Sequence, residues 1–225
     1  MLNDKTILEH SVDTFEKHSS IDGILVVVHP DFIEKTKQLL NIEKRPKIMA
    51  VIAGGEERTD SSWNAINFLS TRCASRKPCT VHRVPCIMNS DVNLLIHDAA
   101  RPFVSEDIIT RIIDALKIHS AVSVAIPATD TIYLCDNENN IQSSPQRNLV
   151  YHAQTPQAAR LSIFKQAFEM ARKNPQHVAT DDANVILNYW PDEKIHVVLG
   201  EPTNRKITFQ SDLEGRMQYA PSRTL

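Results

Sequence analysis

The chain has 225 residues, 42% of them hydrophobic, with 25 Lys and Arg set against 27 Asp and Glu for a net charge of -2. A chain of this length buries roughly 70% of its unfolded surface, so a sizeable core forms without disulfide or metal staples. The charge balance argues against a general nucleic-acid or membrane surface, while leaving room for a local basic cluster that binds phosphate.

The longest apolar run, Ile24 to Val28, is far too short to cross a bilayer. The opening MLNDKTILEHS lacks the basic-then-apolar order of a signal peptide, so a cytoplasmic protein is expected. Cys73, Cys79, Cys86 and Cys135 fall outside any Cys-x-x-Cys spacing and read as free thiols. The nine histidines stand singly, which gives zinc chemistry no foothold.

In chain order, residues 7–18 have helical amphipathic spacing, 24–28 form an apolar strand, and 32–40 form a second helix. A strand over 48–52 and a helix over 61–69 follow, then a strand over 93–97. Ser105, with Glu106 and Asp107 behind it, caps a helix over 106–119. Next come a strand over 122–127, a helix over 161–173, a helix entrance at 180–183 and a strand over 196–199. A C-terminal helix is expected from Ser211. Continuous apolar strands alternating with amphipathic helices predict a single α/β domain, Rossmann-like, with a mostly parallel sheet covered on both faces. The stretch from about 130 to 152, with its polar DNENNIQSSPQRN centre, breaks this rhythm and reads as a projecting β-arm. Its open edges call for cover, which a partner subunit can supply.

Five segments carry chemistry-bearing residues. Gly54-Gly55-Glu56-Glu57-Arg58-Thr59-Asp60-Ser61 follows a strand and opens a helix; paired glycines let a ligand approach, and the same turn also serves as a plain connection. His97-Asp98-Ala99-Ala100-Arg101-Pro102 leaves the carboxyl end of a strand, where open α/β sheets bind ligands. Asp98 there suits hydroxyl or metal recognition and Arg101 suits a phosphate, although an Asp–Arg pair in a turn is the plainer alternative. Thr155-Pro156-Gln157 offers neutral hydrogen-bonding groups after an extended piece that Pro156 is expected to end. Thr180-Asp181-Asp182-Ala183 contains good helix caps, which alone explain its residue types. Arg205 and Lys206 follow a loop and suit either a polyphosphate or solvent.

Taken together and in order, ILEHSV, GGEERTDSS, HDAARP, DTI, RNLVYHAQTPQ, TDDA and NRKIT resemble the 2-C-methyl-D-erythritol 4-phosphate cytidylyltransferases, a resemblance running from Thr6 to about Leu213. The related ribitol-5-phosphate cytidylyltransferases share much of the pattern, and the unmodified HDAARP and TDDA favour the methylerythritol enzymes. The resemblance implies that Gly55, Glu56 and Ser61 line the cytosine pocket and that Asp98 and Ala99 meet the ribose and neighbouring phosphates. It implies that Asp98, Arg101, Thr155, Thr180 and Lys206 hold the sugar-alcohol phosphate. Thr131 and Arg147, on the arm, would reach into the other subunit's site in a homodimer, with Lys206 and Arg147 serving catalysis. The implied reaction is in-line attack of the substrate phosphate on the α-phosphorus of CTP, with Mg²⁺ bridging the CTP phosphates and no general base required.

The resemblance also implies a strand, a glycine-rich Arg-containing loop and a Lys ahead of the segment matching TILEHSV, which here directly follows MLNDK. A chain without that loop is expected to bind CTP weakly and turn it over poorly. Three readings follow: a methylerythritol enzyme represented without its N-terminal strand and loop, a ribitol-phosphate relative of the same kind, or a non-catalytic homologue that binds or dimerises.

Overall fold

The computed structural model describes residues 4–74, 92–174, 181–209 and 212. Thr180, Cys79, Cys86, the side chain of Cys73 and nearly all of the helix expected from Ser211 lie outside the described residues.

Helix α1 (Ile7–Lys17) begins at a capping box. The Thr6 hydroxyl accepts from the Glu9 N–H at 3.3 Å while the Glu9 carboxylate accepts from the Thr6 N–H at 2.8 Å. Strand β1 (Ile24–Val28) follows, then a short 3₁₀ turn into α2 (Ile33–Leu40), which ends on Asn41 at φ 47. Strand β2 (Ile48–Ala53) leads through the Gly-Gly turn into α3 (Arg58–Ala74), three residues earlier than the sequence pattern places it. After β3 (Asn93–Ile96) comes α4 (Glu106–Leu116), capped as expected by Ser105, whose hydroxyl accepts from the Ile108 N–H at 3.1 Å.

Strand β4 (Ala121–Pro127) precedes an antiparallel hairpin of β5 (Leu134–Cys135) and β6 (Ile141–Ser143), in which every residue is exposed. This hairpin is the expected arm. The next strand, β7 (Tyr151–Arg160), corrects the sequence reading, because Thr155-Pro156-Gln157 lies inside it and does not end an extended piece. Pro156 is accommodated where the β4–β7 register shifts between Ser123 and Ala125, since a proline in a paired strand needs an irregularity in the ladder. Helices α5 (Leu161–Ala171) and α6 (Asp182–Tyr189) and strand β8 (Ile195–Leu199) complete the described chain.

The main sheet has the order β3-β7-β4-β8. Strand β4 runs parallel to β8, and β7 runs antiparallel to both β3 and β4, so among the described residues β7 is the one reversed strand of this sheet. Strands β1 and β2 form a separate parallel pair. Among the described residues β1 pairs only with β2 and β3 only with β7. Both are accordingly less buried than β4, whose first five residues are all buried.

Consecutive residues of the central strands point to opposite faces, and the core divides accordingly. Ala121 and Ala159 join Ile66, Leu69, Phe164, Phe168, Val185 and Ile186 beneath α3, α5 and α6. Val122, Val124 and Ala158 join Ile108, Ile109 and Ile112 of α4 on the other face. Helices on both faces leave the loops after the strands as the open end of the molecule.

Candidate active site

Three segments that leave the carboxyl ends of strands converge on Asp98: residues 54–58 after β2, 97–101 after β3 and 200–206 after β8. The Asp98 carboxylate takes a different cation on each oxygen. Arg58 Nε donates to Oδ1 at 3.0 Å, and Lys206 Nζ lies 3.2 Å from Oδ2. Burial alone would raise the Asp98 pKa, but Arg58 and Lys206 outweigh it and hold the carboxyl below the ordinary range. The result is an ionised, partly buried carboxylate with the Lys206 side chain at its outer face.

Lys206 owes its place to a buried anchor. Asn204, fully buried, donates through Nδ2 to Gln154 Oε1 at 3.2 Å and to the Thr155 carbonyl at 2.8 Å. Immediately after Lys206, the Ile207 N–H donates to the Ala100 carbonyl at 2.8 Å. Arg101 closes the same junction, with Nη1 donating to the Asn204 carbonyl at 2.8 Å and Nη2 to the Ala153 carbonyl at 3.3 Å. Burial lowers the Arg101 pKa, and these two carbonyls take up much of the fork that a phosphate would use. Arg101 therefore joins strands and loops as much as it offers charge.

His97 and Thr155 set the main chain of Asp98. His97 Nε2 lies 3.1 Å from the Arg101 carbonyl, which can only accept, so Nε2 carries the proton. Burial lowers the His97 pKa to about 4, leaving Nδ1 as a neutral acceptor. Thr155 Oγ1, 2.9 Å from Nδ1, then donates to His97 and accepts from the Asp98 N–H at 3.1 Å. The Thr155 hydroxyl proton is thus already committed.

The Gly-Gly turn has a steric reason for its residues. A Cβ on Gly54 would meet Ser61 Oγ at 2.6 Å, and one on Gly55 would meet the Asp60 side chain. The Gly55 N–H donates to Ser61 Oγ at 3.1 Å, so Gly55 and Ser61 are brought together as a unit, with Glu56 exposed beside them. Ala99 is exposed at the same end, its carbonyl accepting from Ser11 at 3.1 Å.

Arg58 also reaches Asp182, Nη2 to Oδ2 at 2.6 Å, at the entrance of α6. The Asp182 side chain is 0% exposed, and burial raises its pKa despite Arg58. Asp181 caps α6 by accepting from the Asn184 N–H at 2.7 Å, and buried Gln157 ties the cap to β7 through bonds of 2.9 Å to Asp181 and to the Ala183 N–H. The arm residues stay apart: Arg147 donates to the Thr129 carbonyl at 3.4 Å, Thr131 is exposed, and no described contact joins either to Asp98.

The model of one protein family, IspD, 2-C-methyl-D-erythritol 4-phosphate cytidylyltransferase, matches residues 1–218. The chain belongs to that family. A 2-C-methyl-D-erythritol 4-phosphate cytidylyltransferase of Bifidobacterium longum subsp. infantis is 35% identical over 212 residues, which are 93% of this chain and 68% of that one. A bifunctional ribulose 5-phosphate reductase/CDP-ribitol pyrophosphorylase, Bcs1, of Haemophilus influenzae is 33% identical over 93% of this chain and 41% of its own length. The structure of 4-diphosphocytidyl-2C-methyl-D-erythritol synthase from Anaerococcus prevotii matches with a TM-score of 0.82 at 28% identity, covering 97% of this chain and 87% of that one. This chain is therefore a cytidylyltransferase by family, with the Rossmann-like α/β fold its residue pattern predicts.

Within this family member, Asp98, Arg101, Thr155 and Lys206 stand together, as do Gly55 and Ser61 a short way off across Arg58. Arg58, His97, Gln154, Asp182 and Asn204 join this cluster without having been singled out as candidates. All five fall within the quoted segments, Arg58 as the one cation of GGEERTDSS, but their parts are recognisable only through their partners in space.

Proposed function

We propose that this cytidylyltransferase joins CTP to 2-C-methyl-D-erythritol 4-phosphate, releasing pyrophosphate. The observation that carries the reading is the Lys206 ammonium, held 3.2 Å from an ionised Asp98 at the open end of the fold. A substrate phosphate oxygen attacks the α-phosphorus, the bond from that phosphorus to the bridging oxygen breaks, and pyrophosphate takes the electron pair. Such a transfer needs positioning and neutralised charge more than covalent help from the protein. Lys206 supplies the charge, Asp98 keeps it aimed, and Asp98 and Ala99 meet the ribose. Gly55, Glu56 and Ser61 form the cytosine side, and Arg101 and Thr155 frame the sugar phosphate, Thr155 as an acceptor.

Among the described residues no group of three or more His, Cys, Asp or Glu side chains is placed to hold a metal ion. Asp98 fits as a lone protein contact, because each of its oxygens spends only one lone pair on a cation. Mg²⁺ would thus be carried chiefly by the CTP phosphates, whose negative charge it neutralises. The arm supports a homodimer, since Tyr133, Leu134, Ile141, Leu149 and Tyr151 are all large, apolar and at least 45% exposed. In that arrangement Thr131 and Arg147 serve the neighbouring subunit's site.

The likeness to the CDP-ribitol pyrophosphorylase favours ribitol 5-phosphate as a second reading. Pyrophosphate release by the purified full-length protein, with CTP and a panel of sugar phosphates, separates the two. Methylerythritol 4-phosphate should be used far better than ribitol 5-phosphate. A preference of about tenfold the other way, worth about 1.4 kcal/mol, reverses the assignment.

A further inference from the structure

We propose that Arg58 is the positioning residue of the site, held by buried Asp182 so that it shares the charge of Asp98 and leaves Lys206 free for the reacting phosphates. The inference rests on the reading of Asp98 and Lys206 given above.

Arg58 spans two carboxylates with two different nitrogens, Nε to Asp98 at 3.0 Å and Nη2 to Asp182 at 2.6 Å. A planar fork holds both directions fixed at once, whereas the three donors of a lysine ammonium rotate freely about a flexible stem. The two partners differ in exposure. Asp98 retains 17% of its side-chain surface, facing the open end, whereas Asp182 retains 0%. Burying a carboxylate so completely carries a large desolvation cost, and a well-packed apolar pair would often serve stability as well or better. What the apolar pair lacks is direction. With Nη2 fixed at the entrance of α6, the guanidinium plane is set and Nε is aimed at Oδ1 of Asp98.

The consequence reaches Lys206 through the carboxylate. One oxygen of Asp98 goes to Arg58 and the other to Lys206, so the plane of the carboxylate is defined from both sides. Without Arg58, Asp98 turns its full charge on Lys206 and draws the ammonium into a closed pair, away from an incoming phosphate. Ground-state contacts of the substrates elsewhere in the site are untouched, so the loss falls on turnover. Arg58 is also the first residue of α3 and directly follows the turn in which Gly55 bonds to Ser61.

The test compares Arg58→Gln, Arg58→Lys, Asp182→Asn and the double variant Arg58→Gln/Asp182→Asn with Lys206→Ala, measuring thermal midpoint, kcat and both KM values in the full-length protein. Arg58→Gln strands a buried carboxylate and should lower the midpoint, while the double variant, with both charges gone, should return it close to that of the wild type. In that restored background kcat should still be down by roughly 10²-fold, with both KM values within about threefold. Arg58→Lys should recover only part of kcat. A double variant with wild-type midpoint and kcat within about twofold of the wild type would overturn the proposal and leave Arg58 a structural ion pair. Lys206→Ala keeps the two levels apart. If it too leaves kcat unchanged, the reading of the whole site fails; if it abolishes turnover while the double variant does not, only the role of Arg58 fails.

Discussion

Lys206 and Arg205 are adjacent cations, and the pairing of Lys206 with Asp98 makes the first prediction. Lys206 is aimed by Asp98 and by the buried Asn204 anchor, so Lys206→Ala should lower kcat by a factor on the order of 10² to 10³, as for other charge-stabilising donors, while Arg205→Ala should do little. Equal small effects for both in steady-state assays would return the pair to solvent. His97 supports a second prediction. It stays neutral down to about pH 4 in the folded chain, whereas an unfolded histidine takes its proton near 6.5. The unfolded state binds more protons throughout that window, so this contribution to stability is complete above about pH 6.5 and is lost as pH falls toward 4. Urea unfolding at pH 7 and pH 5 should show the loss, and His97→Gln should flatten it. The role of Lys206 was legible through the family resemblance; that of His97 was not, since it is one of nine scattered histidines and reveals its tautomer only beside the Arg101 carbonyl and Thr155.

The helices and the continuous apolar strands were legible because their signals are local. A capping box, a Ser before two acidic residues and a five-residue apolar run each act within a few positions. Thr6→Ala should cost about 1 kcal/mol of stability by stripping the cap of α1, and Ser105→Ala should cost at least as much, because its hydroxyl also donates to Glu201 at 2.8 Å. Chemical denaturation of the two single variants measures both, and a change under about 0.3 kcal/mol would show that tertiary packing alone holds these helix starts. Strand β7 was not legible, for a physical reason. Its Gln154, Thr155, Pro156 and Gln157 are polar or turn-forming, yet all four are buried. They belong in the sheet because each polar group finds a partner far along the chain: Gln154 on Glu201, Thr155 on His97 and Gln157 on Asp181. The resemblance named Asp98, Arg101, Thr155 and Lys206 from separate motifs and the fold brings these four together, whereas the anchors Asn204 and Asp182 looked like ordinary loop and cap residues.

At the scale of the molecule, the body and the arm make opposite use of apolar surface. The body buries Phe164, Phe168 and the isoleucines of α4 beneath a sheet covered on both faces. The arm does the reverse, leaving Tyr133, Leu134, Ile141 and Leu149 more than half exposed on a short hairpin with open edges. A two-stranded hairpin is marginal alone in water, and such a surface is stabilised when a second copy covers it. Arg147 sits at the base of this arm, bonded only weakly to the Thr129 carbonyl at 3.4 Å, with no described contact to Asp98 or Lys206 of its own chain. If the arm places Arg147 in the neighbouring site, Arg147→Ala and Lys206→Ala each disable a site in homodimers, but a heterodimer holds one site with both residues intact. Mixing equal amounts makes half the dimers heterodimers, each with one complete site of two, so activity should return to roughly a quarter of the wild type. Subunit exchange must be verified by native mass spectrometry of differently tagged chains. Full exchange with no recovery would put Arg147 in its own subunit's site or outside any site, and the exposed apolar arm would then serve assembly alone.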